Sequence, residues 1–262
     1  MNGVNKTLYI PLYGKSYVSK KGIILQDTKA EEIWDKEGFE LKGKSKSKWL
    51  AYYMGMRSAV FDKWLQEKME EDERAVILHI GCGMDSRVLR VGTKNHLWYD
   101  VDFPDVIEER KLYYTENDDY TMIASDARQI EWLHEVPSNA DAIVIMEGIS
   151  MYLQIEELQT VLSAISAHFN KVSLLMDCYT EFAAKASKYK NPINDVGVTE
   201  VVGVDDPHIW EENTDFVFVA EHDMTPESMI EELQGMERTF FKNVLGGKVS
   251  EKMYRLFEYE TV

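Results

Sequence analysis

Apolar and polar positions along this chain follow two different periods. Over residues 49–69, Leu50, Tyr53, Met54, Ala59, Phe61, Trp64 and Leu65 recur at helical spacing, which predicts an amphipathic helix. From residue 75 onward short apolar runs take over. They lie at 75–80 (AVILHI), 96–101, 121–124, 141–146 (DAIVIM) and 172–176, with two late ones at 216–220 and 253–259. Runs this short that end in Gly or Asp read as buried strands. Helical patterns separate them, most clearly at 155–168 through Leu158, Val161, Leu162 and Ile165. Another is expected at 226–233, with Thr225 as its cap and Pro226 in its first turn. Strands alternating with helices predict an α/β fold, its strands parallel in an open sheet covered on both faces.

Two stretches escape either period. Residues 7–17 (TLYIPLYGKSY) mix aromatics with Pro11 and Gly14 and predict an irregular arm with one short helical turn. Residues 191–212 form a long polar stretch containing Pro192, Gly197, Gly203 and Pro207. Such a length inside a compact domain suggests a shaped lid over a substrate site. Residues 42–48 (KGKSKSK) read as a solvated basic loop. The expected layout is one domain over 1–262. It comprises an N-terminal helical arm (1–72), a ligand-binding core (73–190), a lid-like insertion (191–215) and C-terminal strands with a helix (216–262).

The chemistry gathers where the strands end. The run at 75–89, AVILHIGCGMDSRVL, passes from a strand into Gly81-Cys82-Gly83 and then into a helix. Glycines there let the backbone approach a ligand, and the helix start offers free N–H groups. The next strand ends in Asp100 and Asp102, where a nucleotide-binding fold holds ribose hydroxyls. Further acids, Asp126, Glu147 and Asp177, follow at later strand ends, and each is also a plausible helix cap. A dinucleotide fingerprint would place a third glycine where Ser86 stands, and Asp85 would repel a pyrophosphate. A carboxylate there can instead face an ammonium group. That favours a nucleoside carrying an amino acid, S-adenosylmethionine (SAM).

Composition narrows the classes. A net charge of −17 argues against nucleic acid and against anionic membrane surfaces. Two cysteines, Cys82 and Cys178, make no disulfide framework, so a cytoplasmic setting is expected. No apolar run is long enough to span a bilayer. No cluster has metal-ligand spacing. Cys82 has no base beside it and reads as a small filler, and His79 as a core histidine.

The motifs GCGMDSR (81–87), DVDFPDVIEERK (100–111), SDAR (125–128) and EGISMYL (147–153) together resemble the leucine carboxyl methyltransferase family of class I SAM-dependent methyltransferases, in particular its bacterial branch linked to polyketide O-methylation. TLYIPLYGKSY, RSAVFD at 57–62 and VGVDDP ending at Pro207 extend the likeness over most of the chain. The resemblance implies a Rossmann-like, mostly parallel seven-stranded sheet and SAM as cofactor. It implies that Gly81 passes under the methionine portion and that Arg57 pairs with its carboxylate. Asp102 would take the ribose hydroxyls, with Asp100 the alternative. Asp126 and Ala127 would bracket the adenine, Glu147 would sit near the methionine amino group, and Lys15 would reach in from the arm.

The expected activity is O-methylation of a hydroxyl or carboxylate on a small, polyketide-like molecule. Tyr13, Tyr17, Tyr152, Tyr179 and His208 are the pocket candidates, Tyr152 foremost. Methylation of a protein C-terminal carboxylate is the alternative acceptor. A nicotinamide-dependent oxidoreductase and an inactive SAM-binding module are the readings from other classes.

Overall fold

The computed structural model describes residues 5–38, 41, 43–188 and 200–262. The chain opens with a 3₁₀ turn at Asn5–Leu8, then helices α1 (Tyr9–Lys20), α2 (Thr28–Glu37) and α3 (Lys48–Glu71). Strand β1 (Val76–Ile80) leads through the glycine turn into α4 (Arg87–Val91), β2 (Trp98–Asp102), α5 (Pro104–Arg110) and β3 (Tyr120–Ala124). Then come β4 (Ala142–Met146), α6 (Ile155–His168), β5 (Val172–Tyr179) and α7 (Glu181–Ser187). The C-terminal part comprises β6 (Phe216–His222), α8 (Glu227–Glu231), α9 (Gly235–Phe240), a π-helical turn and β7 (Tyr254–Thr261).

The seven strands form one sheet in the order β3-β2-β1-β4-β5-β7-β6. The first five are parallel, and β7 runs antiparallel between β5 and β6. Side chains on adjacent strand positions go to opposite faces. Val76, Leu78, Ile80, Val144 and Met146 meet α6 on one face, whereas Ile77, Ile143, Ile145 and Leu175 meet α3 on the other. Burial on both faces explains why these strands read as continuous apolar runs.

The arm is helical, but its first stretch departs from the irregular form expected for residues 7–17. Residues 9–20 are a three-turn helix because Pro11 falls in its first turn, where a missing N–H breaks no helical bond. Helix α2, which the apolar pattern did not announce, carries ordinary end signals. The Asp27 side chain accepts from the Ala30 amide, and Gly38 closes the helix at φ +60°. At the α1–α3 crossing, a Cβ on Gly14 would lie 2.5 Å from Met54 Cβ, so the absence of a side chain sets the helix spacing. Gly14→Ala is therefore expected to destabilise the protein by about 1–3 kcal/mol through overpacking. Urea unfolding measures it, and an unchanged midpoint would show that the crossing relaxes freely.

Three further expectations are corrected. Strand β5 continues to Tyr179, so Asp177 lies within it, not at its end. Pro226, not Thr225, stands at the N-cap position of α8, which has no side-chain cap, and the Thr225 hydroxyl is engaged with Ser250 and the Gly247 amide. Of the expected lid, residues 191–199 lie outside the described residues. Val202 and Val204 donate backbone bonds to Met151 and Tyr179 (2.8 and 2.7 Å), tying that segment down beside β5.

Candidate functional site

A cavity of about 370 Å³ opens at the carboxyl ends of β1, β2 and β4, within the range of small-molecule sites. Its floor is the glycine turn. The Gly81 amide donates to Val101 O at 2.8 Å, and Gly81 and Gly83 adopt φ +71° and +50°. A Cβ on Gly81 would come 2.8 Å from Ile149 Cδ1, so the turn leaves no room for a side chain. Asp102 forms the adjoining wall, its carboxylate accepting from the Gly83 and Phe103 amides, both at 2.7 Å. Burial pushes the Asp102 carboxyl up to about 6 despite those amides. Asp100, the alternative, is fully buried away from the cavity, and its carboxylate is bound by Arg110, Tyr120 and Trp98. Geometry favours Asp102 as the acid that a ligand meets.

The other predicted residues divide. Lys15, Arg57, Gly81, Asp126, Ala127, Glu147 and Tyr152 all border the cavity. The Asp126 carboxylate forks onto Arg128, with Asp126 Oδ2 2.6 Å from Arg128 Nη2, and that bond holds its carboxyl below the usual range. Tyr13, Tyr17, Tyr179 and His208 lie outside the lining. Tyr13 packs on Trp34, Tyr17 on Tyr52, and Tyr179 edge-on against Tyr254. His208 is exposed and pairs with Glu211. The cover of the cavity comes from the arm, through Thr7, Leu8, Ile10, Pro11 and Leu12, and not from residues 200–215.

Beneath the cavity lies a buried ionic network that sequence reasoning only partly foresaw. Arg57 joins Glu147 (Nε–Oε1 3.0 Å) to Asp177 (Nη1–Oδ2 2.7 Å). Arg87 also bonds Glu147 and reaches Asp62 at 2.6 Å. Asp85 does meet an ammonium group, but the chain's own: Lys15 Nζ lies 2.9 Å from its Oδ2. Arg90 adds bonds from Asp85 to Asp62 and Asp27. Burial favours the neutral acid at Glu147, yet Arg87 and Arg57 hold it down at about 2. At Asp177 burial prevails over Arg57 and the carboxyl is raised. The spacing of Arg87 and Arg90 on one short helix was the available signal, but a surface role fitted it equally well.

The remaining polar groups offer little chemistry of their own. Burial pushes the Cys82 thiol well up, which leaves it a filler, and pushes the His79 imidazole down, which leaves it neutral. Burial also raises the Tyr152 and Tyr254 phenols. Among the cavity's carboxylates, Asp85, Asp126 and Glu147 face cations and Asp102 faces two amides.

A family model described as leucine carboxyl methyltransferase matches residues 8–166. The chain belongs to that family. It is similar to the tetracenomycin polyketide synthesis O-methyltransferase TcmP of Streptomyces glaucescens, 28% identical over 213 residues that cover 80% of this chain and 79% of that one. It also resembles the S-adenosyl-L-methionine-dependent methyltransferase dpfgK of Gibberella zeae, 27% identical over 186 residues, 64% of this chain and 62% of the other. Among solved structures, magnesium protoporphyrin IX methyltransferase (ChlM) of Synechocystis PCC 6803 with bound SAH superposes with a TM-score of 0.53. At 12% identity, over 90% of this chain and 95% of that one, the likeness concerns the fold. This family member is a SAM-dependent methyltransferase, and the nicotinamide reading falls with that finding. Among the described residues no helix is long and apolar enough to cross a membrane.

The cavity fits such a cofactor on its own terms. It combines a turn whose Gly81 has no room for a side chain, an acid at the end of β2, and both charges of Arg57 and Glu147 in the lining.

Proposed function

We propose that the protein methylates an oxygen of a small, polyketide-like molecule, and that the oxygen is a carboxylate. One observation carries the choice of acceptor. Every carboxylate lining the cavity is held by a cation or by backbone amides, and burial keeps the two lining tyrosines protonated. His79 also lines the cavity, but its Nε2 faces Arg87 Nη1 at 3.2 Å and its Nδ1 faces Asp100 at 3.4 Å. Asp102 is committed to the ribose in this reading. No described lining group is therefore placed to take a proton from an alcohol. An ionised carboxylate needs none. The relative named for polyketide O-methylation supports the small-molecule class.

SAM supplies a methyl group on a sulfonium, and the chain's work is positioning and exclusion of water. Asp102 would accept from the ribose hydroxyls, and Ala127 would border the adenine with Asp126. Gly81 would run beneath the methionine portion. Arg57 and Lys15 would attract its carboxylate, and Glu147 its amino group. Leu8, Ile10 and Met151 would shield the reacting end, where Tyr152 offers a hydroxyl donor to the acceptor. Free thiols at Cys82 and Cys178 accord with a cytoplasmic setting.

The test is methyl transfer to matched aromatic acids and phenols across a pH series. Methyl esters should form, with kcat/KM for the acid flat above about pH 6, since the acceptor is already ionised there. Turnover confined to phenols, rising with pH, would overturn the carboxylate assignment. Binding of SAM with no turnover on either series would favour the inactive-module reading.

A further inference from the structure

The element after β2, DVDFPDVIEERK, so far accounts only for Asp102. Its Arg110, the last residue of α5, is fully buried and turns Nη1 to the glycine turn. Arg110 Nη1 donates to Gly83 O at 3.0 Å and to Asp85 O at 2.7 Å. Its Nη2 is bound by Asp100, and its Nε lies 3.1 Å from the Tyr120 hydroxyl. Tyr120 and Trp98 hold Asp100 in turn. The Tyr114 ring lies 4.0 Å under the guanidinium, while its hydroxyl donates to Met84 O at 3.0 Å. Three successive carbonyls of the turn are thus held from behind by one cluster.

A buried guanidinium is costly unless its donors find partners, and here Nη1 finds them on backbone of the glycine turn while Nη2 and Nε find them on Asp100 and Tyr120. The Gly83 residue carries the link forward, because its carbonyl takes the Arg110 bond while its amide donates to Asp102 Oδ2 at 2.7 Å. We infer that Arg110 is a positioning residue for the cofactor: through Gly83 it sets the glycine turn and the Asp102 carboxylate in binding geometry. Asp100 and Tyr120 orient the guanidinium. The inference rests on the reading that Asp102 receives the ribose hydroxyls.

The test compares wild type, Arg110→Met, Arg110→Lys and Asp102→Asn. The readouts are calorimetric titration with S-adenosylhomocysteine and amide hydrogen exchange over residues 81–87 of the free protein. Arg110→Met should bind on the order of 10- to 100-fold more weakly, as expected for a small misplacement of binding groups. Its turn amides should exchange faster, KM for SAM should rise, and KM for the acceptor should stay unchanged. Loss of the nearby positive charge should also move the pH midpoint of binding upward. Arg110→Lys keeps the charge but not the fork, so it should lose affinity with the midpoint in place. A folded Arg110→Met with wild-type affinity and exchange would overturn the inference. Where that variant does not fold, wild-type affinity in Arg110→Lys does the same. Wild-type affinity in Asp102→Asn would instead remove the reading on which the inference stands.

Discussion

Arg57→Met is expected to lose about 3–5 kcal/mol of folding stability, the usual cost of breaking a buried ion pair from one side. Arg57 is 2% exposed and its guanidinium lies between Glu147 and Asp177, so its removal leaves two carboxylates facing an apolar side chain. Arg87 still answers Glu147, but among the described residues Asp177 keeps only the Gly148 amide, at 2.6 Å from Oδ1. The loss depends on pH with a definite sign. In the wild type Glu147 is held down at about 2, so its stabilising contribution is present above its unfolded value and fades as pH falls towards 2. In the variant both carboxyls rise, so the folded form takes up protons and the deficit should grow as pH increases through those raised values. Urea unfolding at several pH values measures this, with Arg57→Met/Asp177→Asn expected to recover part of the loss. Equal midpoints for wild type and Arg57→Met across the series would show that the network contributes no net stability.

Asp102→Ala should weaken SAM binding on the order of 100-fold while leaving the fold intact. Hydrogen bonds to an ionised group are each worth roughly 1.5–3 kcal/mol, and a ribose offers two hydroxyls to this carboxylate. Because the carboxyl of the free site sits at about 6, binding competes with protonation. Donors on the ligand favour the ionised form, so wild-type affinity should be constant above about pH 6 and fall up to tenfold per unit below it. Asp102→Asn should lack that dependence. Calorimetry with S-adenosylhomocysteine from pH 5 to about 8 reads both effects. Full affinity in Asp102→Ala would move the ribose contact elsewhere.

Much of the site could be read from local pattern. The glycine turn, Asp102, Ala127 and Glu147 border the cavity as expected, because strand ends and turns are local features and a parallel sheet brings its carboxyl ends together. The arm was harder. Pro11 and Gly14 suggest a broken segment, yet one occupies the first turn of α1 and the other the crossing with α3, a distinction that depends on the partner helix. Tyr13, Tyr17 and His208 have the chemistry of pocket residues, but their side chains take partners outside the cavity.

The sequence by itself determined the α/β layout, the cofactor class and the family, because strand periodicity and each of the motifs around Gly81, Asp102 and Glu147 are encoded within a few consecutive residues. Only the tertiary structure decided which ions are spent within the protein. Asp85 turns to Lys15, Arg57 to Glu147 and Asp177, and Arg110 to the glycine turn, pairings that span up to 120 positions. A buried charge must find a partner, but the identity of that partner follows from how the elements pack.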